Sequence, residues 1–129
     1  MNELTFDKKT TIVSDFYTGF EGHPEYKFIA LYPAKAKVFR MWEGWFDQIM
    51  YEISSKNESW TSIAAVFHLG EGWYDDSPWH LVFVEPAIAQ FQESYEQLQF
   101  EMTKEICRGL ILFLSNEHEK GASIFIAYD

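Results

Sequence analysis

The sequence predicts an α+β fold, a single domain in which several amphipathic helices pack on a small, mainly antiparallel sheet. Three observations lead there. Apolar residues recur at helical spacing over 34–55, 86–98 and 103–119. Short β-branched and aromatic runs, with Pro or Gly beside them, stand at 26–32, 79–84 and 123–128. The two kinds do not follow one another as repeating βαβ units, and no internal repeat, low-complexity tract or linker divides the 129 residues. A chain of this length can bury one good core without staples.

Residues 1–23 are weakly patterned, with Thr11-Ile12-Val13 and Phe16-Tyr17 as a short candidate strand before Gly19, Gly22 and Pro24. Tyr26 to Tyr32 (YKFIALY) is β-branched and aromatic and halts at Pro33, the pattern of a strand. From Ala34 to about Ser55 the period changes: Val38, Trp42, Trp45, Ile49 and Ile53 fall at steps of four, three, four and four. Phe39, Phe46 and Met50 lie on the adjoining face, so this stretch is expected to be one amphipathic helix whose aromatic stripe faces the core. Gly44 inside it costs about 1 kcal/mol relative to Ala, which points to close packing or a kink.

Ser59 can cap a second helix carrying Trp60, Ile63, Ala64 and Phe67 and ending at Gly70, although the same residues permit a buried strand. Trp79 to Val84 (WHLVFV) reads as a short buried strand or an extended connection. Pro86 suits the first position of a helix whose face is marked by Ile88, Phe91, Tyr95 and Leu98. A further helix is expected over Thr103–Glu119, with Ile106, Leu110, Phe113 and Leu114 inward and Gly121 just past its end. Ser123 to Tyr128 (SIFIAY) completes the set as a closing strand.

Hydrophobic residues make up 47% of the chain and aromatic residues 19%, a composition that argues against intrinsic disorder. The lone Cys107 excludes an intramolecular disulfide framework and a cysteine-rich zinc site, and suits a reducing compartment. There is no basic-then-apolar N-terminus and no uncharged apolar run near twenty residues, so neither a secretory signal nor a membrane span is expected. The cytoplasm is the expected location.

Charge is more specific. Ten basic residues face twenty acidic ones, for a formal net charge of −10. No Lys or Arg occurs between Lys56 and Lys104, while Glu58, Glu71, Asp75, Asp76, Glu85, Glu93, Glu96 and Glu101 all do. Such a field repels nucleic-acid phosphates and attracts a cationic partner. The plainer account, solubility, explains the bulk charge but not the base-free interval.

Within that interval His68 to His80 (HLGEGWYDDSPWH) concentrates two histidines, three carboxylates, two tryptophans and a tyrosine around two glycines and a proline. Histidine and carboxylate bind divalent metals. Yet the histidines lie twelve apart, and no His-Glu-x-x-His or Asp-x-Asp-x-Asp-Gly pattern appears. A small hydrolytic or metabolic enzyme would use His68, Glu71, Asp75, Asp76 and His80 as acid and base, with like-charge pairing of the two Asp raising one pKa. No Gly-x-Ser-x-Gly elbow or phosphate-cradling glycine loop accompanies them, and Cys107 sits in an apolar run that suits packing rather than nucleophilic attack. A third alternative is a small-ligand-binding regulatory domain with an aromatic pocket.

Binding to a protein suits the segment better. Glycines turn the chain, Pro78 stiffens its exit, and Trp and Tyr supply rigid contact area beside carboxylates that accept charge-assisted hydrogen bonds. Glu71, Trp73, Tyr74, Asp75 and Asp76 are therefore the candidate contacts, with Glu93 and Glu96 as peripheral charges. Trp73, Tyr74 and Trp79 have a competing role as ordinary core residues.

Gly72-Trp73-Tyr74, Ser77-Pro78-Trp79, the following amphipathic helix and the terminal Ala127-Tyr128-Asp129 together resemble small immunity proteins of polymorphic toxin systems, in particular those of contact-dependent growth inhibition. The resemblance covers the second half of the chain best. Because immunity families differ widely in fold, it transfers no individual residue roles. It implies a cytoplasmic, non-catalytic protein without a cofactor that binds the C-terminal domain of a cognate toxin, often masking the toxin's active site. Many such toxins are nucleases with a basic substrate-binding surface, which agrees with the acidic interval. The oligomeric state is not read from the sequence.

Overall fold

A computed structural model describes residues 9–52 and 79–128. In chain order the elements are β1 (Lys9–Phe16), β2 (Glu25–Leu31), β3 (Lys35–Trp42), α1 (Glu43–Tyr51), β4 (Trp79–His80), α2 (Val84–Gln97), α3 (Glu101–Glu119) and β5 (Ser123–Tyr128). The fold is α+β, with the five strands in one open, mostly antiparallel sheet ordered β1-β3-β2-β5-β4. Among the described residues only the β1–β3 pair is parallel, and its register slips between Ile12 and Ser14, leaving Val13 as a bulge.

Strand alternation divides the sheet into two faces. Tyr26, Phe28 and Ala30 of β2 share the first face with Phe39 and Met41 of β3 and with Ile124 and Ile126 of β5. The helices close over this face. Phe46, Ile49 and Met50 of α1, Phe91 of α2, and Ile106, Leu110 and Leu114 of α3 join it in one core. Phe46 and Phe91 contact the Phe28 ring at centroid distances of 5.8 and 6.1 Å, and Phe113 meets Phe39 at 5.7 Å. The second face carries a smaller buried cluster of Ile29, Ala36 and Val38 flanked by Leu31, Phe125 and Ala127.

The largest departure from expectation is the helix over Ala34–Ser55. Its first part is β3, and α1 begins only at Glu43. The cause is two-sided burial: Ala36 and Val38 enter the second cluster while Phe39 and Met41 enter the main core. Apolar residues on both faces fit a period of two as readily as a helical period. A tight hairpin through Pro33 and Ala34, held by the Tyr32 N–H on the Lys35 carbonyl at 2.9 Å, decides the competition for β2 pairing. Val38 and Trp42 thus belong to a strand, whereas Ile49 does face the core from a helix.

The other elements fall near their expected places. α2 starts at Val84, two residues before Pro86, whose missing N–H lies in the first turn where donors lack helical partners anyway. In WHLVFV, Leu81 and Val84 are buried but Val82 and Phe83 are exposed, so the segment is a two-residue strand followed by a helix entry. Ile106, Leu110, Phe113 and Leu114 all point inward from α3. The Gly121 N–H bonds the His118 carbonyl and the Ala122 N–H the Glu117 carbonyl, both at 3.0 Å, closing α3 before β5. The candidate helix from Ser59 to Gly70 lies outside the described residues.

Candidate functional site

Of the seven candidate partner contacts, Glu71, Trp73, Tyr74, Asp75 and Asp76 lie outside the described residues. Glu93 and Glu96 are on α2, the former half-buried and the latter exposed. α2 is anchored by Ala87, Phe91 and Ser94 on its inner side, where the Ser94 hydroxyl donates to the Ile49 carbonyl at 2.6 Å. That anchoring turns the opposite side, with Glu85 and Glu96, to solvent. The helix holds no base. Lys104 reaches it from α3 by lying over the Tyr95 ring, 4.7 Å from its centroid.

Trp79 and His80, the two residues of the aromatic-acidic motif that can be placed, both lie at its C-terminal end and have packing roles. Trp79 pairs in register with Ile126 and packs against the main core, which settles its competing readings toward the interior. His80 is exposed, and its ring stacks on Phe125 at 4.7 Å. Cys107 is buried, donates its S–H to the Phe91 carbonyl at 3.3 Å, and has its pKa pushed up to about 12 by burial. It packs as expected and resists forming the thiolate at neutral pH.

Basic residues gather elsewhere. Lys9 lies beside Lys35 across the β1–β3 ladder and Lys27 beside Arg40 across β2–β3. Two bases from β3 are drawn into ion pairs. Lys37 Nζ is 3.5 Å from the Glu117 carboxylate, which also accepts a hydrogen bond from the Tyr32 hydroxyl. Burial, followed by that carboxylate, pushes Tyr32 up to about 12. Arg40 Nε approaches Glu25 Oε2 to 2.8 Å, off the hydrogen-bonding axis, and Asp15 Oδ1 to 3.7 Å, while its guanidinium lies over the Tyr17 ring. The Thr18 hydroxyl and nearby backbone N–H groups hold Asp15 below its ordinary pKa. These clusters lock strands to one another and to α3.

A third polar group sits at the start of α1. The Tyr128 hydroxyl donates to Glu43 Oε2 at 2.8 Å. One turn later, burial and then the Glu43 charge push Asp47 up to about 6.

Sequence reasoning missed an aromatic surface next to that helix start. Trp42 and Trp45 were expected in a core stripe; both are half-buried, and Trp45 packs against the main core whereas Trp42 does not. Trp42 stacks with Phe20 at 4.4 Å, and a Cβ built on Gly44 would overlap the Trp42 ring. Successive turns, Phe20 N–H to Tyr17 and His23 N–H to Phe20, place Gly19 and Gly22 at positive φ and project Phe20 between them. The available signal was the Trp42-x-x-Trp45 spacing; nothing local linked it to Phe20 or Phe100.

Among the described residues no group of three or more His, Cys, Asp or Glu is placed to hold a metal ion, and no helix is long and apolar enough to cross a membrane. In comparisons with known proteins, no family model, curated protein or solved structure matches the chain.

Proposed function

We propose that this chain is an immunity protein: a non-catalytic, cytoplasmic inhibitor that binds and neutralises the C-terminal toxin domain of a contact-dependent growth inhibition system, a basic nuclease. The observation that carries this reading is the segregation of charge. α2 presents Glu85 and Glu96 to solvent, has Glu93 on its flank and carries no Lys or Arg of its own, within a 47-residue interval that has none; the basic side chains near it, His118 beside Glu85 and Lys104 over Tyr95, come from α3. An acidic surface of this kind speeds capture of a basic partner and competes with the nucleic acid that partner would bind.

Co-expression with the toxin domain encoded beside this chain tests the proposal through growth protection and pull-down. Protection with a stable complex is expected; unprotected growth arrest without complex formation overturns it. At the contact level, Glu93→Gln/Glu96→Gln should slow association about two- to fivefold at low salt and flatten its salt dependence. Asp75→Asn/Asp76→Asn should act in the same direction. Association kinetics unchanged across salt would remove each pair from the interface.

A further inference from the structure

Three segments far apart in sequence bring four aromatic rings together. Phe20 comes from the β1–β2 connection, Trp42 and Trp45 from the β3–α1 junction, and Phe100 from the turn between α2 and α3. Phe20 and Trp42 are nearly parallel, with an interplanar angle of 6°. Trp45 meets both edge-on, at 5.8 and 5.2 Å, and then stacks toward Phe100 at 6.1 Å and 23°. Phe100 is the last ring, and it remains 54% exposed.

Each segment places a carboxylate next to a ring: Glu21 follows Phe20, Glu43 follows Trp42, and Glu101 follows Phe100. Glu21 and Glu101 are exposed and Glu43 is half-buried. The Gly19 N–H fixes Glu21 at 3.0 and 3.2 Å, as the Tyr128 hydroxyl fixes Glu43. The patch therefore has an aromatic centre of stacked and edge-on rings, and each segment that builds it carries a carboxylate one residue beyond its ring.

We infer that this patch is a docking surface for an arginine-bearing segment of a protein partner, with a guanidinium stacked on Phe100 and these carboxylates, Glu101 first, accepting its N–H groups. A planar cation extends the ring stack, is attracted to the electron-rich face, and matches a carboxylate with two parallel donors. A compact, strongly hydrated lysine ammonium matches less well. An apolar occupant would strip water from these charges without pairing them. A second copy, itself carrying a net charge of −10, would set one group of carboxylates against another. The inference rests on the reading of the chain as a binder of a cationic protein, and it specifies the aromatic anchor site.

The test uses the full chain and three nine-residue probe peptides, alternating Gly with Arg, Lys or Glu. Calorimetry at low salt measures affinity, and indole N–H signals assigned with Trp42→Phe and Trp45→Phe report the site. The Arg peptide should bind most tightly and shift the Trp45 signal. Phe100→Ala should weaken it about fivefold and Glu101→Lys more than tenfold. Both positions are exposed, and circular dichroism checks that each variant is folded. Failure of the Arg peptide to bind, or affinity unchanged in both variants, overturns the inference. Self-association of the free protein that Phe100→Ala abolishes also overturns it, by assigning the patch to a second copy. Patch-dependent Arg binding without growth protection would sink the immunity reading and leave this surface standing; protection with patch-independent binding would do the reverse.

Discussion

Asp47 links burial to pH at a single residue. Its folded pKa of about 6 exceeds the ordinary value of 3.8 because the side chain is partly withdrawn from water and faces the Glu43 charge. The folded protein therefore holds this proton more tightly than the unfolded chain. The associated stability is fully present below about pH 4 and is lost as pH rises through about 6. Asp47→Asn should thus be more stable than the parent at pH 7, by about 1 kcal/mol after allowance for solvent screening, with the difference vanishing near pH 4. Urea midpoints across that range measure it; a gap that does not change with pH would refute the assigned environment. Glu117 is a buried carboxylate whose partners, the Lys37 ammonium and the Tyr32 hydroxyl, both come from the sheet side of the molecule. The Glu117 arrangement was not visible in sequence, because Tyr32 and Glu117 are 85 positions apart.

Elements were legible where one period dominated or prolines marked the ends. β2, α3 and β5 form close to the expected bounds, β2 because Pro24 and Pro33 bracket it although it too is buried on both faces. β3 does not, since its two-sided burial runs without a break into the helical stripe of α1. The junction between β3 and α1 turns on Gly44. Helix propensity alone predicts that Gly44→Ala stabilises α1 by about 1 kcal/mol. The Trp42 ring occupies the space a Cβ needs, so the substitution must displace that ring from Phe20. A net loss of about 1–3 kcal/mol is expected, with a change in near-ultraviolet circular dichroism. A neutral or higher melting temperature would show that the ring yields without cost. The same junction explains why the aromatic patch escaped notice: its members become neighbours only when the hairpin, the first helix and the α2–α3 turn have come together.

For the whole molecule, the acidic bias and the α+β class were legible because both are sums over many residues. Strand order was not, since periodicity says which face a residue takes and nothing about its neighbour across the sheet. Of the seven proposed contacts Glu93 and Glu96 could be placed, and Trp79, for which core and partner had both been open, packs against the core. The strand order has one further consequence. β3 occupies the slot between β1 and β2 yet follows both in the chain. The first strand must therefore wait beside a gap until a later hairpin supplies its partner. Its side chains are mostly exposed, and Val13 interrupts its ladder. Native-state hydrogen exchange should find β1 amides opening at lower free energy than those of β2, and equal protection would contradict this. In assembly terms, β1 is the last board nailed to the sheet and the first that can be lifted, although it is the first strand made.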